Sequence, residues 1–500
     1  MIDGGRFAGH DLRTGEDHPI AAVIAAMDRE GVARALVSSF RSVQQDIVEG
    51  ARECVRWAAA APERVVPVAA LTTSFYGSSP DRLLPWMRDE LGIRVVAITD
   101  EPSLGPVQWD APIVRAIALA AADAGLVLQA GIRSAAELAA VSRAASDLPL
   151  DVMVRWLGGH RYLSVASEVA LAERWPRVIF DVGTMASTGL IAWSAARLGA
   201  HRLFLSTNAP VHVAAAPLAV LADADLSADQ RQAISGGTAA RVLGLAAPAG
   251  AVVVSPLDRL RDRPKVDTHW HPDHNNLGEP GIGDAAQIAE FDRFAYERVV
   301  CSANRALYDE LDVGNEAVAG WADRDPRVRG LVVIDPRRPG ASLAQIERYA
   351  ADRRFVGLKT IQDLSDSGLD DAAYDPLLAR AAALGLPVLA HITGMAGAAK
   401  RHPDVKFIAA HANFGRAQAL AEARNVFFDV STSHALAHET QLARFIRLVG
   451  TDRVLFGSDG PLVSPAWTLA KIGDVALSDD ELDRILRRNA YRVFARLSAS

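Results

Sequence analysis

Residues 265–274 read KVDTHWHPDH, and the chain opens on a weaker version of the same pattern, MIDGGRFAGH at residues 1–10. Both segments carry an aspartate at their third position. Five further pairs follow in the same order: RVVAIT 94–99 with FVGLKT 355–360, GLVLQAGI 125–132 with GLPVLAHIT 385–393, DVMVRWLGGH 151–160 with DVKFIAAHAN 404–413, VIFDVGT 178–184 with VFFDVST 426–432, and HRLFLSTNAP 201–210 with DRVLFGSDGP 452–461. Since the offset between partners stays between 248 and 264 residues, these pairs indicate a tandem duplication.

Within each copy, short apolar runs alternate with longer helical patterns, which is typical of βα units and a parallel sheet. A repeat of this length matches a whole (β/α)₈ barrel of about 250 residues and is too long for a solenoid. The expected fold class is therefore α/β, with two tandem (β/α)₈ TIM barrels. We expect one barrel in residues 1–246 and the other in residues 265–500, joined by a linker over residues 247–264 that contains several prolines.

The composition limits the partners and the chemistry. The 500 residues are 50% apolar and 23% charged, with a net charge of -7, so the sequence favours neither nucleic acid nor an anionic membrane as a partner. No signal-like apolar segment is evident, and we expect a soluble, cytoplasmic protein. Only Cys54 and Cys301 are present, too few for a cysteine-rich zinc module. Any metal site must use histidine and carboxylate ligands.

The second copy places such residues after its predicted strands. His269 and His271 end the first strand, and their spacing puts both on one side of an extended segment. His391, His411 and Asp459 each follow a different apolar run. Because the carboxyl ends of barrel strands converge on one face, we expect these side chains to meet there. Nitrogen and oxygen donors without a thiol suit Zn²⁺ or a similar divalent ion.

The segments DTHWH, VLAH, FIAAH and LFGSDGP resemble the strand-end motifs of the amidohydrolase superfamily. They are most similar to its small-barrel branch, which includes lactonases, 2-pyrone-4,6-dicarboxylate hydrolases and some decarboxylases. The resemblance implies that His269, His271 and His391 bind metal. It also implies that Asp459 binds metal or takes the proton from the attacking water. By the same resemblance, His411 either completes the metal site or holds and polarises the substrate.

Two further residues are expected to contact substrate. Lys359 ends the predicted strand 355–360, where some superfamily members place a carboxylated lysine that bridges two metals. The small-barrel branch usually binds one metal, so we expect one ion per chain and a Lys359 that contacts an anionic group of the substrate. His274 lies in the loop after the first strand and is the other candidate.

These features predict a metal-dependent hydrolase of a small, anionic cyclic amide, amide or lactone, which uses a metal-activated water. The alternative on the same site is a lyase, either a decarboxylase or a hydratase. The run HWHPDH at residues 269–274 also fits the metallo-β-lactamase pattern, but that fold needs a sheet before the motif, and here the motif starts the repeat. A non-catalytic binding protein is a third reading.

The first copy lacks the corresponding ligands. Gly5 and Phe7 stand opposite His269 and His271, and Asn208 stands opposite Asp459. We therefore expect this barrel to be catalytically silent and to act as an intrachain partner of the second barrel. The sequence leaves open whether the chain also forms a homo-oligomer.

Overall fold

The computed structural model of the chain describes residues 1–72, 79–99, 108–157, 164–247, 257, 259–272, 282–308, 310–412, 414–431 and 440–498. The chain forms two compact units, Met1–Ser255 and Pro256–Ser500. Within the described residues, each unit contains one sheet, of nine strands in the first and eight in the second. Among the described residues, no helix is long and apolar enough to cross a membrane.

The strands follow one another around each sheet in chain order, apart from one short addition in the first unit. The first unit contains β1 (Ile2–Asp11), β2 (Glu16–His18), β3 (Arg34–Ser39), β4 (Val65–Leu71), β5 (Val95–Ile98), β6 (Val127–Ile132), β7 (Val152–Trp156), β8 (Val178–Asp181) and β9 (Leu203–Phe204). The second contains β10 (Lys265–Trp270), β11 (Tyr296–Cys301), β12 (Val328–Val333), β13 (Phe355–Thr360), β14 (Val388–Ala390), β15 (Phe407–Ala409), β16 (Val426–Asp429) and β17 (Val454–Leu455).

Helices follow the strands in both units. Those of the first unit are α1 (Ile20–Arg29), α2 (Phe40–Gln44), α3 (Ile47–Ala60), α4 (Pro80–Leu91), α5 (Pro112–Asp123), α6 (Ala135–Ala145), α7 (Val165–Arg174), α8 (Leu190–Leu198), α9 (Ala215–Asp223), α10 (Ala228–Gln232) and α11 (Thr238–Leu243). Those of the second are α12 (Asp284–Arg293), α13 (Asn304–Tyr308), α14 (Leu311–Arg324), α15 (Pro339–Tyr349), α16 (Gln362–Ser365), α17 (Asp375–Leu384), α18 (Met395–Arg401), α19 (Phe414–Leu420), α20 (Gln441–Val449), α21 (Pro465–Asp474), α22 (Asp479–Asp483) and α23 (Asn489–Val493).

Backbone hydrogen bonds join the first strand of each sheet to the segment at and beyond the last strand. Gly4 N donates to Leu205 O at 2.7 Å in the first unit, and Thr268 N donates to Phe456 O at 3.0 Å in the second. All neighbouring strands from β10 to β17 pair in parallel, as do β1 and β3 to β9. The predicted fold class of two tandem (β/α)₈ barrels is thereby confirmed.

The added strand β2 pairs antiparallel with the end of β1. The turn between them places Gly15 at φ +70°, a backbone conformation that glycine adopts without steric cost. Sequence analysis did not predict this hairpin, because a strand of three residues has too few positions to display an alternating pattern.

In each barrel, apolar side chains from the strands pack inward against the last α-helix, so each barrel has its own core. In the second barrel, Val266, Leu331 and Leu455 from the strands pack with Ala490 and Val493 of α23. The first barrel packs Ile2, Leu36 and Phe204 against Ala239 and Leu243 of α11 in the same way.

The segment that precedes this last helix is also the same in both barrels. Both α10 and α22 begin at a capping box, formed by Ser227 with Gln230 and by Ser478 with Glu481. In both copies a π-helical turn follows directly, over Ala233–Gly237 and Arg484–Arg488.

Candidate metal centre in the second barrel

Two histidines enter the mouth of the second barrel from β10. His269 lies within the strand and His271 directly follows it, so the two imidazoles share the inner side. Trp270 between them points the other way, where its ring packs 5.0 Å from that of Phe291. The indole nitrogen of Trp270 donates to Gln287 Oε1 at 3.0 Å, which holds the intervening residue in place.

Asp459 reaches the same point from the segment after β17. Its backbone N donates to His269 O at 2.8 Å, and its φ of +66° is unusual for a residue with a side chain. Asp267 anchors this segment, because its carboxylate accepts from the backbone N of Ser458 at 3.0 Å and from the Ser458 hydroxyl at 2.5 Å. The local backbone is therefore held in a conformation that directs the Asp459 carboxylate towards β10.

The donor atoms of His269, His271 and Asp459 form a compact triangle. The two Nε2 atoms are 3.2 Å apart, and Asp459 Oδ1 lies 3.5 Å from His269 Nε2 and 3.2 Å from His271 Nε2. Tetrahedral zinc with bonds of about 2.0–2.1 Å would place its ligand atoms about 3.3 Å apart. The three donors thus fit a divalent ion in both spacing and chemical type.

Hydrogen bonds leave the Nε2 atoms of both histidines turned towards the triangle. His269 Nδ1 lies 2.6 Å from Asp429 Oδ2, and His271 Nδ1 lies 2.8 Å from the backbone oxygen of Ser302. A carboxylate or carbonyl behind a metal-binding histidine orients its ring and sets its tautomer. Both imidazoles are therefore arranged to offer Nε2 as a ligand.

The electrostatics of the site favour the protonation states that metal binding requires. Burial, together with the nearby Lys359, lowers the pKa of His269 well below its usual value. Burial lowers the pKa of His411 to about 3. Burial alone would raise the pKa of Asp459, but its interactions with His269, His271 and His411 outweigh burial and hold that pKa below its usual range. Neutral imidazoles beside an ionised carboxylate are the forms that coordinate metal.

Lys359 lies directly beside this triangle. It belongs to β13 and is fully buried, and its Nζ is 2.9 Å from His269 Nε2. Burial lowers the pKa of Lys359 to about 8. Its amine therefore lies close enough to influence both an ion on His269 and a substrate bound to that ion.

The other predicted site residues lie near the triangle or outside the described part of the chain. The His411 ring centroid is 5.0 Å from that of His269 and 5.1 Å from that of His391. In the described part of the chain, the triangle is the one group of potential metal ligands with atoms within 4.8 Å of one another, and it does not include His391 or His411. His274 lies outside the described residues.

Sequence analysis missed three residues that contact these histidines. Asp429, Ser302 and Ser431 were not singled out as site residues. Ser431 Oγ lies 3.2 Å from His269 Nδ1 and 3.0 Å from His411 Nδ1. The segment VFFDVST contained a usable signal, since its Asp429 ends a buried strand and its Ser431 lies two residues further on.

The first barrel repeats this backbone without the donor triangle. The backbone N of Asn208 donates to Gly5 O at 2.9 Å, as that of Asp459 does to His269 O at 2.8 Å in the second barrel. Likewise, the backbone N of Phe7 donates to Ala209 O at 2.8 Å, as that of His271 does to Gly460 O at 2.7 Å. These bonds match Gly5, Phe7 and Asn208 with the three triangle residues, in agreement with the sequence pairing.

A buried arginine fills the equivalent point of the first barrel. Arg155 donates from Nε to Asn208 Oδ1 at 3.1 Å and from Nη1 to Gln129 Oε1 at 3.0 Å, and its guanidinium lies 5.2 Å from the centre of the Phe7 ring. A Cβ added to Gly5 would lie 2.3 Å from Arg155 Cζ. The guanidinium therefore occupies the space into which His269 projects in the second barrel.

The chain is similar to several solved structures over less than half of its length. An uncharacterised TIM-barrel protein from Bordetella bronchiseptica is 17% identical with a TM-score of 0.40, and the match covers 47% of this chain and 99% of that one. The 4-oxalomesaconate hydratase of Rhodopseudomonas palustris is 18% identical with a TM-score of 0.39, covering 47% and 97%. The 5-carboxyvanillate decarboxylase of Sphingomonas paucimobilis is 18% identical with a TM-score of 0.36, covering 42% and 82%.

No curated protein sequence matches the chain significantly. A family model described as amidohydrolase, however, matches it twice, over residues 12–245 and 266–496. Each match covers one of the two barrels, and together they span most of the sequence. The chain therefore belongs to the amidohydrolase family, with two copies of the family's domain in tandem.

Proposed function

We propose that residues 265–500 form a metal-dependent hydrolase for a small, anionic cyclic amide, amide or lactone. The observation that carries this proposal is the buried triangle of His269, His271 and Asp459, whose donor atoms lie 3.2–3.5 Å apart. Two imidazole nitrogens and a carboxylate oxygen suit Zn²⁺, and we propose one such ion per chain. His391 is the proposed additional ligand, since it lies beside His411 at the same end of the barrel.

A divalent ion held by this triangle would polarise the substrate carbonyl and make water a competent nucleophile at neutral pH. Asp459 accepts the proton of the attacking water through its carboxylate and returns it to the leaving nitrogen or oxygen. Lys359 binds the anionic group of the substrate through its N–H donors, close to His269 Nε2. Burial of Lys359, His269 and Asp459 limits the access of bulk water to these steps.

We further propose that the first barrel holds no catalytic metal. Arg155 supports this, because its guanidinium lies where a ligand at position 5 would project and binds the amide oxygen of Asn208. An arginine side chain has no acceptor atom and stays protonated, so it cannot act as a ligand. Its fixed positive charge takes the place of a bound cation.

The first test is the metal content of protein purified without chelator. We expect about one zinc ion per chain in the native protein and none in the double variant His269→Ala with His271→Ala. His391→Ala shows whether that residue is a ligand, and His402→Ala is the matched control because His402 is paired with Asp375 away from the triangle. A native protein that binds no divalent ion would refute the proposed function.

The reaction class needs a second test. A panel of lactones, cyclic amides and aromatic acids is incubated with the zinc-loaded protein in ¹⁸O-labelled water. Hydrolysis predicts one ¹⁸O atom in the carboxylate of the product and no released CO₂. Release of CO₂, or addition of water across a double bond, would replace hydrolysis by lyase chemistry.

A further inference from the structure

Arg155 carries a positive charge that is buried without an ion pair among the described residues. Its side chain is 2% exposed, and its hydrogen bonds end on the neutral amide oxygens of Asn208 and Gln129. Another buried arginine of the first barrel, Arg6, is instead paired with Asp3 at 2.6 Å. Buried charges in proteins are generally paired, because the protein interior solvates them poorly. The charge of Arg155 therefore lacks the direct counterion that Arg6 has.

Two aspartates lie near this guanidinium, but other groups bind their carboxylates. Asp3 accepts from Arg6 Nε at 2.6 Å and from the Thr207 hydroxyl at 2.5 Å. Asp181 accepts from the Ser206 hydroxyl at 2.5 Å. The charges of both aspartates act on the guanidinium without an ion pair, and burial still lowers its pKa to about 10. An anion in direct contact would stabilise the charged form further.

The guanidinium has donors left for such an anion. Arginine has five N–H groups. Those on Nε and Nη2 donate to Asn208 Oδ1 at 3.1 and 2.5 Å, and one on Nη1 donates to Gln129 Oε1 at 3.0 Å. Each terminal nitrogen of Arg155 therefore retains one N–H that no described group of the protein accepts. A planar fork of N–H groups is the arrangement that binds both oxygens of a carboxylate.

The two amides that hold the guanidinium are themselves fixed by backbone oxygens. Gln129 Nε2 donates to Gly4 O at 2.8 Å, and Asn208 Nδ2 donates to Trp156 O at 3.2 Å. These bonds orient each amide so that its oxygen faces the guanidinium. Arg155 is therefore held in one position before a ligand binds, which reduces the entropic cost of binding.

Arg155 also lies at the end of the barrel where ligands bind. It is the penultimate residue of β7, and the carboxyl ends of the strands form the ligand-binding face of a (β/α)₈ barrel. Its partner Asn208 occupies the place that Asp459 has in the second barrel. We propose that the first barrel binds one small carboxylate anion at this end, through the remaining terminal N–H groups of Arg155. The anion carries a single charge, because Arg155 supplies one positive charge and Arg6 is already paired.

The test is the binding of formate and acetate to the full chain, measured by titration calorimetry and by the rise in the thermal unfolding midpoint that a bound ligand causes. Formate consists of little more than a carboxylate, so the shape of the site does not exclude it. The native chain is titrated alongside variants made in the His269→Ala, His271→Ala background, where no metal in the second barrel binds the anion. In that background we expect about one anion per chain, and no binding of the neutral analogue acetamide.

Two substitutions assign the anion to the first barrel. Arg155→Gln removes the positive charge, and Asn208→Asp keeps Arg155 but gives it a carboxylate of the protein itself. Each should weaken formate and acetate binding at least about tenfold. The matched control in the second barrel is Lys359→Met, which removes another buried positive charge and should leave the affinity unchanged.

Three results would overturn the inference. The first is that neither formate nor acetate binds, and the second is an unchanged affinity in a folded Arg155→Gln or Asn208→Asp variant. The third is an affinity that falls in Lys359→Met alone, which would place the anion in the second barrel. If Arg155→Gln does not fold, Asn208→Asp decides, because it retains the arginine. The metal content of the native chain plays no part in these outcomes, so they are independent of the proposed function.

Discussion

At the scale of single residues, the mouth of the first barrel places a buried positive charge near a pair of aspartates that the second barrel also has. In the first barrel the guanidinium of Arg155 is stabilised by the charges of Asp181 and Asp3, although burial lowers its pKa to about 10. In the second barrel, Asp429 and Asp267 match these aspartates. We propose that a divalent ion supplies the positive charge there. Arg155, together with Gly5, Phe7 and Asn208 at the positions of the donor triangle, thus distinguishes the first barrel from the one proposed to bind metal.

Exchange of the two matched residues tests this interpretation. Asn208→Asp should leave the metal content of the chain unchanged, because Arg155 fills the position and the new carboxylate would pair with its guanidinium. Asp459→Asn, the reverse exchange, should abolish metal binding by removing an anionic ligand. Elemental analysis of both purified variants measures the result. A second ion bound by Asn208→Asp would contradict the proposed role of Arg155.

A substitution at Asp429 is expected to change the affinity of the protein for zinc rather than the number of zinc ions bound. Asp429→Asn removes the anionic acceptor behind His269 Nδ1, and such changes typically weaken metal binding by about 10–100-fold. Competition with a chromophoric chelator measures the zinc affinity. Asp181→Asn is the matched control in the first barrel and should leave the zinc affinity unchanged. Equal affinities for the native protein and Asp429→Asn would show that Asp429 does not support the ligand.

At the scale of strands, the proposed metal centre depends on how closely β10, β16 and β17 approach one another. Gly457 lies in the segment after β17, where an added Cβ would be 2.7 Å from Asp429 Oδ1 and 3.0 Å from His269 Cβ. The absence of a side chain at this position therefore allows His269 from β10 and the Asp429 carboxylate from β16 to meet.

Gly457→Ala should accordingly weaken zinc binding and lower the thermal unfolding midpoint of the second barrel, because Asp429 or His269 must shift to make room. The matched control is Gly283→Ala at the start of α12, where a Cβ would meet nothing within 4 Å. Calorimetric scans and chelator competition on both variants measure the two effects. Native zinc affinity in Gly457→Ala would show that the strands can separate without cost to the site.

At the scale of the whole molecule, the chain consists of two units that each contain a sheet and a core. All three residues of the donor triangle lie in the second unit. So do Asp429, Ser302 and Ser431, which contact the histidines. The proposed metal centre therefore needs no side chain from the first unit for its construction.

A fragment of residues 257–500 should consequently fold and bind about one zinc ion, and a fragment of residues 1–247 should bind none. Circular dichroism establishes folding, and elemental analysis measures the metal. A 257–500 fragment that is folded but binds no metal would mean that the first unit contributes to the site.

The sequence by itself determined the duplication and the barrel fold, because both depend on local and repeated patterns. Apolar runs and helical stretches recur within each copy, and six matched segments keep their order. The sequence also predicted which histidines and aspartate follow strands. For parallel strands, that position alone places side chains at one face.

Only the tertiary structure decided which of these side chains lie close enough together to bind one metal ion, and which groups form hydrogen bonds with them. The contact between His269 and Asp429 spans 160 residues of sequence, and the one between Arg155 and Asn208 spans 53. Neither local propensity nor spacing specifies such pairs, because they depend on the register of separate strands around the barrel. For the same reason, the sequence did not reveal that Arg155 fills the first barrel's equivalent site or that Ser431 lies between two imidazoles.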